Sequence, residues 1–394
     1  MESIAKGLHD GTIKPEKLSK EAILKTYQEL NDGAADGYDK NWNNFNQDQE
    51  SLKTVQSLKK NIYLFSGAKT YSMQQEMNNL LHADGKIKPF NDFKNDVLKI
   101  NPTYNKTYLQ AEFQTARATA NHVRNWQQFQ ANKDIFPNLQ YKTVGDARVR
   151  DAHQQLNDVI KPINDPFWNN FYPPNGWRCR CYVTQTADTI TTGKFTEPLK
   201  YGVDAAFQNN AAKSGSIYNN NKHPYFALAK AGGKKVASEM ELSKNNAPYE
   251  TAYTAQNGSK VKVNPFADTN DLKGNYEAAV RISEGLGLNV KIRPHLDGHI
   301  IQQKNPEFEI NGKLADRKTP EGTKIKRVFR KASKQGVETV VLDLSKTELN
   351  IETAKIQLKN IFRNANNHPD IKNVIIISKD GNTVEKHSRK ELIK

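Results

Sequence analysis

DPFW (residues 165–168) and PPNGWRCRC (residues 173–181) are the two short segments that decide the fold of this chain. Together they contain both cysteines of the 394-residue chain and two of its four tryptophans. Their prolines and glycine disfavour a long helix. Large apolar side chains or a metal ion must therefore hold the region in place, and we expect a loop-rich structural knot.

The two cysteines are candidate metal ligands. Cys179 and Cys181 are separated by one residue, which is too close for an unstrained disulfide, and the chain offers no other cysteine. With His153 they make three ligands of the kind that zinc accepts, and Asp146, Asp151 or a water molecule would give the fourth. The alternative is that both thiols are simply buried and that His153 caps a turn.

The chain is strongly basic, with 58 Lys and Arg against 43 Asp and Glu, and a formal charge of +15. Residues 273–394 hold 24 basic and 15 acidic residues, a net of +9. Such an excess favours a polyanionic partner, most often nucleic acid, although it also serves solubility. We see neither a run of about 20 apolar residues that would cross a membrane nor a secretory signal. The sequence predicts synthesis in the cytoplasm of the producing cell.

The N-terminal half is predicted to be mainly helical. Apolar residues recur at helical spacing over residues 18–30 and 108–126, and over 51–81, which Gly67 could interrupt. Residues 34–42 are rich in turn formers. The knot lies within 141–184, and the small polar residues of 191–271 predict a linker with one short helix at 225–231.

The C-terminal part predicts a small α+β domain over residues 272–394. Asn311-Gly312 is a strong hairpin signal between two of its strands. The predicted helices are 275–286, 323–335 and 351–364, and the predicted strands are 289–293, 299–303, 307–310, 313–318, 339–344 and 373–378.

The knot resembles the signature of a known family. Residues 150–153, 165–168 and 173–181, in this order, are similar to the phage Mu protein F-like head-morphogenesis family, and 108–126 is similar to the helix before that signature. The resemblance covers about residues 60–190, in a first domain of 1–190. It implies a minor capsid protein that associates with portal and capsid proteins and is carried in the virion, with no catalysis in this part.

A basic helix follows the predicted hairpin. Its side chains recur at three- or four-residue spacing and could form a phosphate-facing stripe, although a solvated helix face would look the same. The candidate nucleic-acid-binding residues are Lys324, Lys326, Arg327, Arg330, Lys331, Lys334 and Gln335.

Polar residues near this helix suggest phosphodiester chemistry. Cleavage needs a base for the nucleophile, a cation for the developing charge and an acid for the leaving oxygen. We expect His299, Asp316, Lys318 and Thr319 to supply these groups without a metal. A lone histidine is more often structural, but His299 follows a turn and starts a predicted strand.

Residues 274–390 resemble C-terminal nuclease domains of contact-dependent toxins and of the group that includes barnase, EndoU, colicin-type and RelE-like nucleases. The resemblance implies a ribonuclease, often acting on tRNA, that needs no cofactor and is controlled by an immunity protein. It implies delivery into a target cell or release from a particle.

Two alternatives remain open. The pattern Pro306-Glu307 followed by Asp316-Arg317-Lys318 is typical of PD-(D/E)xK nucleases, which hold Mg²⁺ between carboxylates, and Glu284 could be the upstream acid. The departure is Glu307, where aspartate is usual. The other alternative is a capsid protein without enzymatic activity, whose basic C-terminal part binds packaged DNA.

Overall fold

A computed structural model of the chain describes residues 1–364 and 366–394 and divides into two compact units. The first comprises 1–42 and 57–240, and the second comprises 43–56 and 241–394. No helix in the described ranges is long and apolar enough to cross a membrane.

The first unit is mainly helical, as the sequence predicts. Two of its helices, α3 and α9, have a few residues that belong to the second unit, namely 49–56 and 241–243. Its small strands form a hairpin, β1–β2, and a sheet in the order β4-β3-β5. A π-helical segment, Thr103–Tyr108, joins α4 to α5. The helices are α1 Glu2–His9, α2 Lys20–Tyr38, α3 Gln49–Asn79, α4 Phe90–Pro102, α5 Leu109–Ala131, α6 Asp151–Gln154, α7 Ala211–Ser214, α8 Pro224–Ala231 and α9 Gly233–Ser243, and the strands are β1 His82–Ala83, β2 Lys86–Ile87, β3 Asn138–Lys142, β4 Ile160–Pro162 and β5 Tyr182–Thr186.

Two glycines explain a difference from the sequence prediction in α2. Residues 34–42 are expected to turn, yet the helix continues to Tyr38. Gly37 lies so close to α5 that an added Cβ would stand 2.0 Å from the carbonyl oxygen of Arg117, and Gly33 lies against Phe113. The glycines therefore permit a close helix crossing and do not break the helix. Gly67 likewise lies inside an unbroken α3.

Large apolar side chains pack the knot around residues 165–181. Phe167, Trp168 and Phe171 are buried in one apolar cluster with Cys179 and Cys181. Phe167 stacks on Phe171 with a ring separation of 4.5 Å. This core packs against the sheet formed by β3, β4 and β5, which contributes buried residues of its own.

The second unit is an α+β structure around one mixed sheet, which has eight strands in the described ranges. The strand order is β13-β12-β11-β10-β9-β8-β7-β6; β10, β11 and β12 run parallel, as do β7 and β8. The elements in chain order are β6 Glu250–Thr254, β7 Lys260–Val263, α10 Leu272–Leu286, β8 Val290–Ile292, β9 Phe308–Ile310, β10 Lys313–Lys318, α11 Lys326–Ser333, β11 Thr339–Asp343, α12 Ile351–Phe362, β12 Asn373–Ile377, β13 Val384–Ser388 and α13 Arg389–Ile393.

Each face of this sheet has its own core. On one face α10 covers Val341 and Ile375. On the other face α11 and α12 cover Val340 and Leu342. These two residues flank Val341 in β11, and successive side chains of a β-strand point to opposite faces of the sheet. The position of a residue in β10 therefore decides whether its side chain lies on the α10 face or on the face covered by α11 and α12.

The expected linker at 191–271 differs from what the structure contains. The strands β6 and β7 join the large sheet, and Lys260-Val261-Lys262-Val263 shows the alternation that predicts a strand. Earlier in the segment Tyr218 is buried and stacks on Phe65 at 3.7 Å. The short helix expected at 225–231 is present as α8.

One predicted strand, 299–303, is wrong. The carboxylate of Asp297 accepts the backbone N–H of His299, and its carbonyl accepts those of Ile300 and Ile301. These donors close a turn and are not available to a neighbouring strand. The other predicted strands and helices of the domain are present with small shifts at their ends, and β13 and α13 are additions.

Candidate active site and metal-ligand cluster

The β9–β10 hairpin positions the candidate catalytic groups. Asn311 and Gly312 both have positive φ, as a tight two-residue turn requires. The turn sets a register in which Ala315 pairs with Phe308, so the next pair outward is Asp316 opposite Glu307. Lys318, two residues beyond Asp316, lies on the same face of β10. A local turn thus brings two carboxylates and one ammonium group together.

The three side chains are in direct contact. Nζ of Lys318 lies 2.6 Å from Oδ2 of Asp316 and 3.6 Å from Oε1 of Glu307. The backbone N–H of Arg317 donates to Oε2 of Glu307 at 3.2 Å, which fixes that carboxylate. The three side chains differ in solvent exposure: Asp316 is fully buried, whereas the side chains of Lys318 and Glu307 are 17% and 28% exposed.

Asp316 is held in an unfavourable environment for a charge. Burial and the adjacent carboxyl of Glu307 raise the pKa of Asp316 to about 8, against the opposing effect of Lys318. Neither carboxylate oxygen has a well-directed hydrogen bond in the described part of the chain. Such an arrangement costs stability, so it is characteristic of a site with a chemical role.

On the opposite face of β10, Arg317 supports the hairpin. Its guanidinium donates to Oδ2 of Asp343 at 2.7 and 2.9 Å, to Asp271 at 3.0 Å and to Asn275 at 3.2 Å. Although burial opposes it, the attraction of Arg317 lowers the pKa of Asp343. The network ties β10 to β11 and to the start of α10.

A polar cleft of about 250 Å³ opens beside Glu307. Asp271, which lies just before α10, borders it together with Glu307, so a third carboxylate stands near the candidate site. The other lining residues are Asp268, Asn275, His295, Gln303, Lys304, Asn305 and Gln335.

The predicted basic residues flank a second, larger groove of about 530 Å³. Lys324, Arg327 and Lys331 line it, together with Thr319. All the predicted lysines and arginines of this helix are exposed, and in the described ranges none of them has an acidic partner within salt-bridge distance. Gln335 instead accepts the backbone N–H of Asn305 at the cleft.

The structure brings together Glu307, Asp316 and Lys318, but not every residue that the sequence suggests. His299 is exposed on its turn and does not line the cleft in the described ranges. Glu284 accepts a hydrogen bond from the hydroxyl of Tyr253 near the end of α10, about 18 Å along the helix from the end that meets Arg317. Sequence reasoning missed Asp271, whose one signal is its place directly before an amphipathic helix.

In the first unit the candidate metal ligands also meet. Nδ1 of His153 lies 3.8 Å from Sγ of Cys179 and 3.7 Å from Sγ of Cys181, and all three residues are buried. Both cysteines are free thiols. Asp146, an expected fourth ligand, forms a bidentate ion pair with Arg180 at 2.6 Å.

Two family models match this chain. Residues 64–184 match the model described as Phage Mu protein F like protein, and residues 304–383 match the Contact-dependent growth inhibition CdiA C-terminal domain. The chain therefore contains a phage Mu F-like region followed by a CdiA C-terminal toxin region, which confirms the resemblances to the Mu F-like family and to contact-dependent toxins. The candidate metal ligands fall in the first match and Glu307, Asp316 and Lys318 fall in the second.

Two individual relatives are F proteins of Mu or of a Mu-like prophage. The chain is 40% identical over 65 residues to the putative capsid assembly protein F of Escherichia phage Mu, covering 16% of this chain and 15% of that protein. It is 37% identical over 99 residues to the Mu-like prophage FluMu F protein of Haemophilus influenzae, covering 25% and 22%. The chain thus spans less than a quarter of either relative's length.

Among solved structures, the CdiA-CT/CdiI toxin and immunity complex from Burkholderia pseudomallei is similar at 22% identity and a TM-score of 0.25, covering 30% of this chain and 86% of that one.

Proposed function

We propose that the second unit is a nuclease whose active site is formed by Glu307, Asp316 and Lys318 and uses a divalent cation. The observation that carries the proposal is that the fully buried carboxylate of Asp316 contacts both Lys318 and Glu307, and that Glu307 lines an open cleft. The match to a CdiA C-terminal toxin domain supports a toxic activity.

The donor set fits a hard cation. Magnesium prefers carboxylate oxygens, and both oxygens of Asp316 lack a well-directed hydrogen bond in the described ranges. Glu307 and Asp316 would hold the ion, whereas Asp271, which lines the same cleft as Glu307, is paired with Arg317. When bound, magnesium would activate a water molecule and offset the charge that develops on the phosphate.

The protein's own groups have separable roles. Lys318 places an ammonium group beside the carboxylates, where it stabilises negative charge on the reacting phosphate. The basic residues lining the larger groove hold the nucleic-acid backbone without reading its sequence. Arg317 holds the hairpin in position through its bonds to Asp343 and Asp271 on the opposite face of β10.

Within this proposal RNA is the substrate, with tRNA as the first to test, on the strength of the resemblance to contact-dependent nucleases. The metal-free route through His299 has less support, because that side chain stands on an exposed turn outside the cleft. We further propose that the first unit associates with phage portal and capsid proteins, that the chain is virion-associated, and that an immunity protein covers the nuclease site in the producing cell.

The test is a cleavage assay with the full chain on tRNA and on duplex DNA, in Mg²⁺ and in EDTA. We expect tRNA cleavage in Mg²⁺ alone, reduced about 10²–10³-fold in Lys318→Ala, a loss typical of removing one charge-stabilising group. His299→Ala and the exposed control Lys313→Ala should cleave like the unaltered protein.

Other outcomes separate the alternatives. Cleavage that persists in EDTA and disappears in His299→Ala would overturn the metal-dependent site. Cleavage of DNA alone would overturn the RNA substrate. Strongly salt-dependent binding without cleavage of either polymer would leave a nucleic-acid-binding capsid protein and no nuclease.

A further inference from the structure

The cluster of His153, Cys179 and Cys181 in the first unit has the dimensions of a metal site. Zinc binds sulfur at about 2.3 Å and imidazole nitrogen at about 2.0–2.1 Å, so a tetrahedral ion separates the two atoms by about 3.6 Å. The observed separations between Nδ1 and the two sulfurs are 3.8 and 3.7 Å. Both nitrogen–sulfur separations are therefore close to those that one zinc ion requires, and all three ligand atoms lie within 4.8 Å of one another.

The orientation of His153 supports this assignment. Its Nε2 lies 3.2 Å from the carbonyl oxygen of Gly202, so that nitrogen carries the proton and donates it. Nδ1 is then left with its lone pair facing the two sulfurs. Metal-binding histidines usually donate their second ring N–H in this way, which fixes both the tautomer and the ring orientation.

A small cavity provides room for a fourth ligand. It has a volume of about 20 Å³, and His153, Cys179 and Cys181 line it together with arginine side chains. A cavity of about 10–15 Å³ or more holds one water molecule. Asp146 is committed to Arg180, so water is the better fourth ligand.

We propose that the first unit binds one zinc ion through Nδ1 of His153 and Sγ of Cys179 and Cys181, with water at the fourth position. Two sulfurs and one imidazole nitrogen favour zinc over magnesium or calcium. The ion would tie α6 to the loop of residues 177–181. The site is independent of the nuclease in the second unit.

Gly202 is the positioning residue of this site. Its φ is +71°, and a Cβ there would lie 3.2 Å from Cδ2 of His153 and 3.0 Å from Cβ of Ala152. Alanine would therefore push the imidazole from its place. Gly85 has a similar φ of +75° with open space around it, so Gly85→Ala carries the same backbone strain without the contact.

The test measures metal in the full chain bearing Asp316→Asn, which removes a carboxylate of the other site. Purified protein should hold one zinc per chain, and cobalt in its place should show a thiolate-to-cobalt charge-transfer band, which oxygen ligands cannot give. Cys179→Ser and His153→Gln should lose the metal, whereas the exposed control His82→Gln should keep it. Gly202→Ala should weaken zinc binding about 10-fold or more relative to Gly85→Ala.

The unaltered protein alone can refute the proposal, whether or not the variants fold. Absence of zinc after purification, together with no charge-transfer band when cobalt is added, would overturn it. Equal zinc affinity in Gly202→Ala and Gly85→Ala would overturn the positioning role of Gly202.

Discussion

Replacing Asp316 by asparagine should abolish the proposed activity and yet stabilise the metal-free second unit. The folded protein holds the pKa of this carboxyl at about 8, some four pH units above its ordinary value of 3.8. Because the folded state binds the proton more tightly, its stability is greatest below pH 4 and falls as the pH rises towards 8. Asparagine does not titrate, so its advantage over aspartate should grow over the same range.

The size of the effect follows from the linkage between protonation and folding. At about 1.4 kcal/mol per pH unit, the advantage of asparagine grows by about 4 kcal/mol between pH 5 and pH 8.5. Relaxation around the ionised group reduces this, and we expect a gain of about 2 kcal/mol or more.

The assay is urea unfolding in EDTA, followed by far-ultraviolet circular dichroism and by tryptophan fluorescence. All four tryptophans, Trp42, Trp126, Trp168 and Trp177, lie in the first unit. A stability change in the second unit should therefore alter the dichroism transition and leave the fluorescence transition in place.

Asp343→Asn is the matched control, since it is also a buried aspartate of the same sheet. Arg317 lowers the pKa of Asp343, so removing the carboxylate should destabilise the unit by about 3–5 kcal/mol. If Asp316→Asn gains no more stability at pH 8.5 than at pH 5, or behaves like Asp343→Asn, the assignment of Asp316 as a strained functional carboxyl is refuted.

Two further changes test the charged groups of each unit. Arg327→Glu should weaken nucleic-acid binding and reduce the slope of log affinity against log salt by about one. The exposed control Lys372→Glu should leave both the affinity and the slope unchanged. Equal slopes for the two variants would contradict a groove that contacts phosphate. Glu112→Gln should lower the free energy of unfolding of the first unit by about 3 kcal/mol, because it removes the partner of the buried Lys69. Urea unfolding followed by tryptophan fluorescence measures this. Replacing both residues by apolar ones should restore stability, and failure to do so would indicate a packing effect.

The candidate site was predictable where its geometry is local. Asn311-Gly312 requires a tight hairpin, and the alternation of β10 then puts Asp316 and Lys318 on one face with Glu307 across from them. The proximity of these three residues is therefore predictable from turn geometry and strand alternation alone.

What the sequence could not supply depends on contacts between distant segments. Asp271 lies 45 residues before Asp316 and reaches the cleft only because α10 packs on the sheet. Glu284 looked equivalent, but it occupies the wrong end of the same helix. Gly37 likewise resembles a turn signal in the sequence, and only the packing of α5 shows that it permits a close helix crossing.

The two clusters of candidate ligands, one in each unit, differ in chemistry and therefore suit different roles: a structural ion in the first unit and a catalytic ion in the second. Cys179 and Cys181 are buried, soft ligands in a packed aromatic core, which suits a zinc ion that holds loops in place. Glu307 and Asp316 offer hard oxygen atoms, and Glu307 lines an open cleft where an ion held by the pair would meet a phosphate. A chelator of high zinc affinity should therefore loosen the knot, whereas removal of magnesium alone should stop cleavage and leave the knot intact. If removing zinc stopped cleavage and magnesium had no influence, the proposed roles of the two clusters would have to be exchanged.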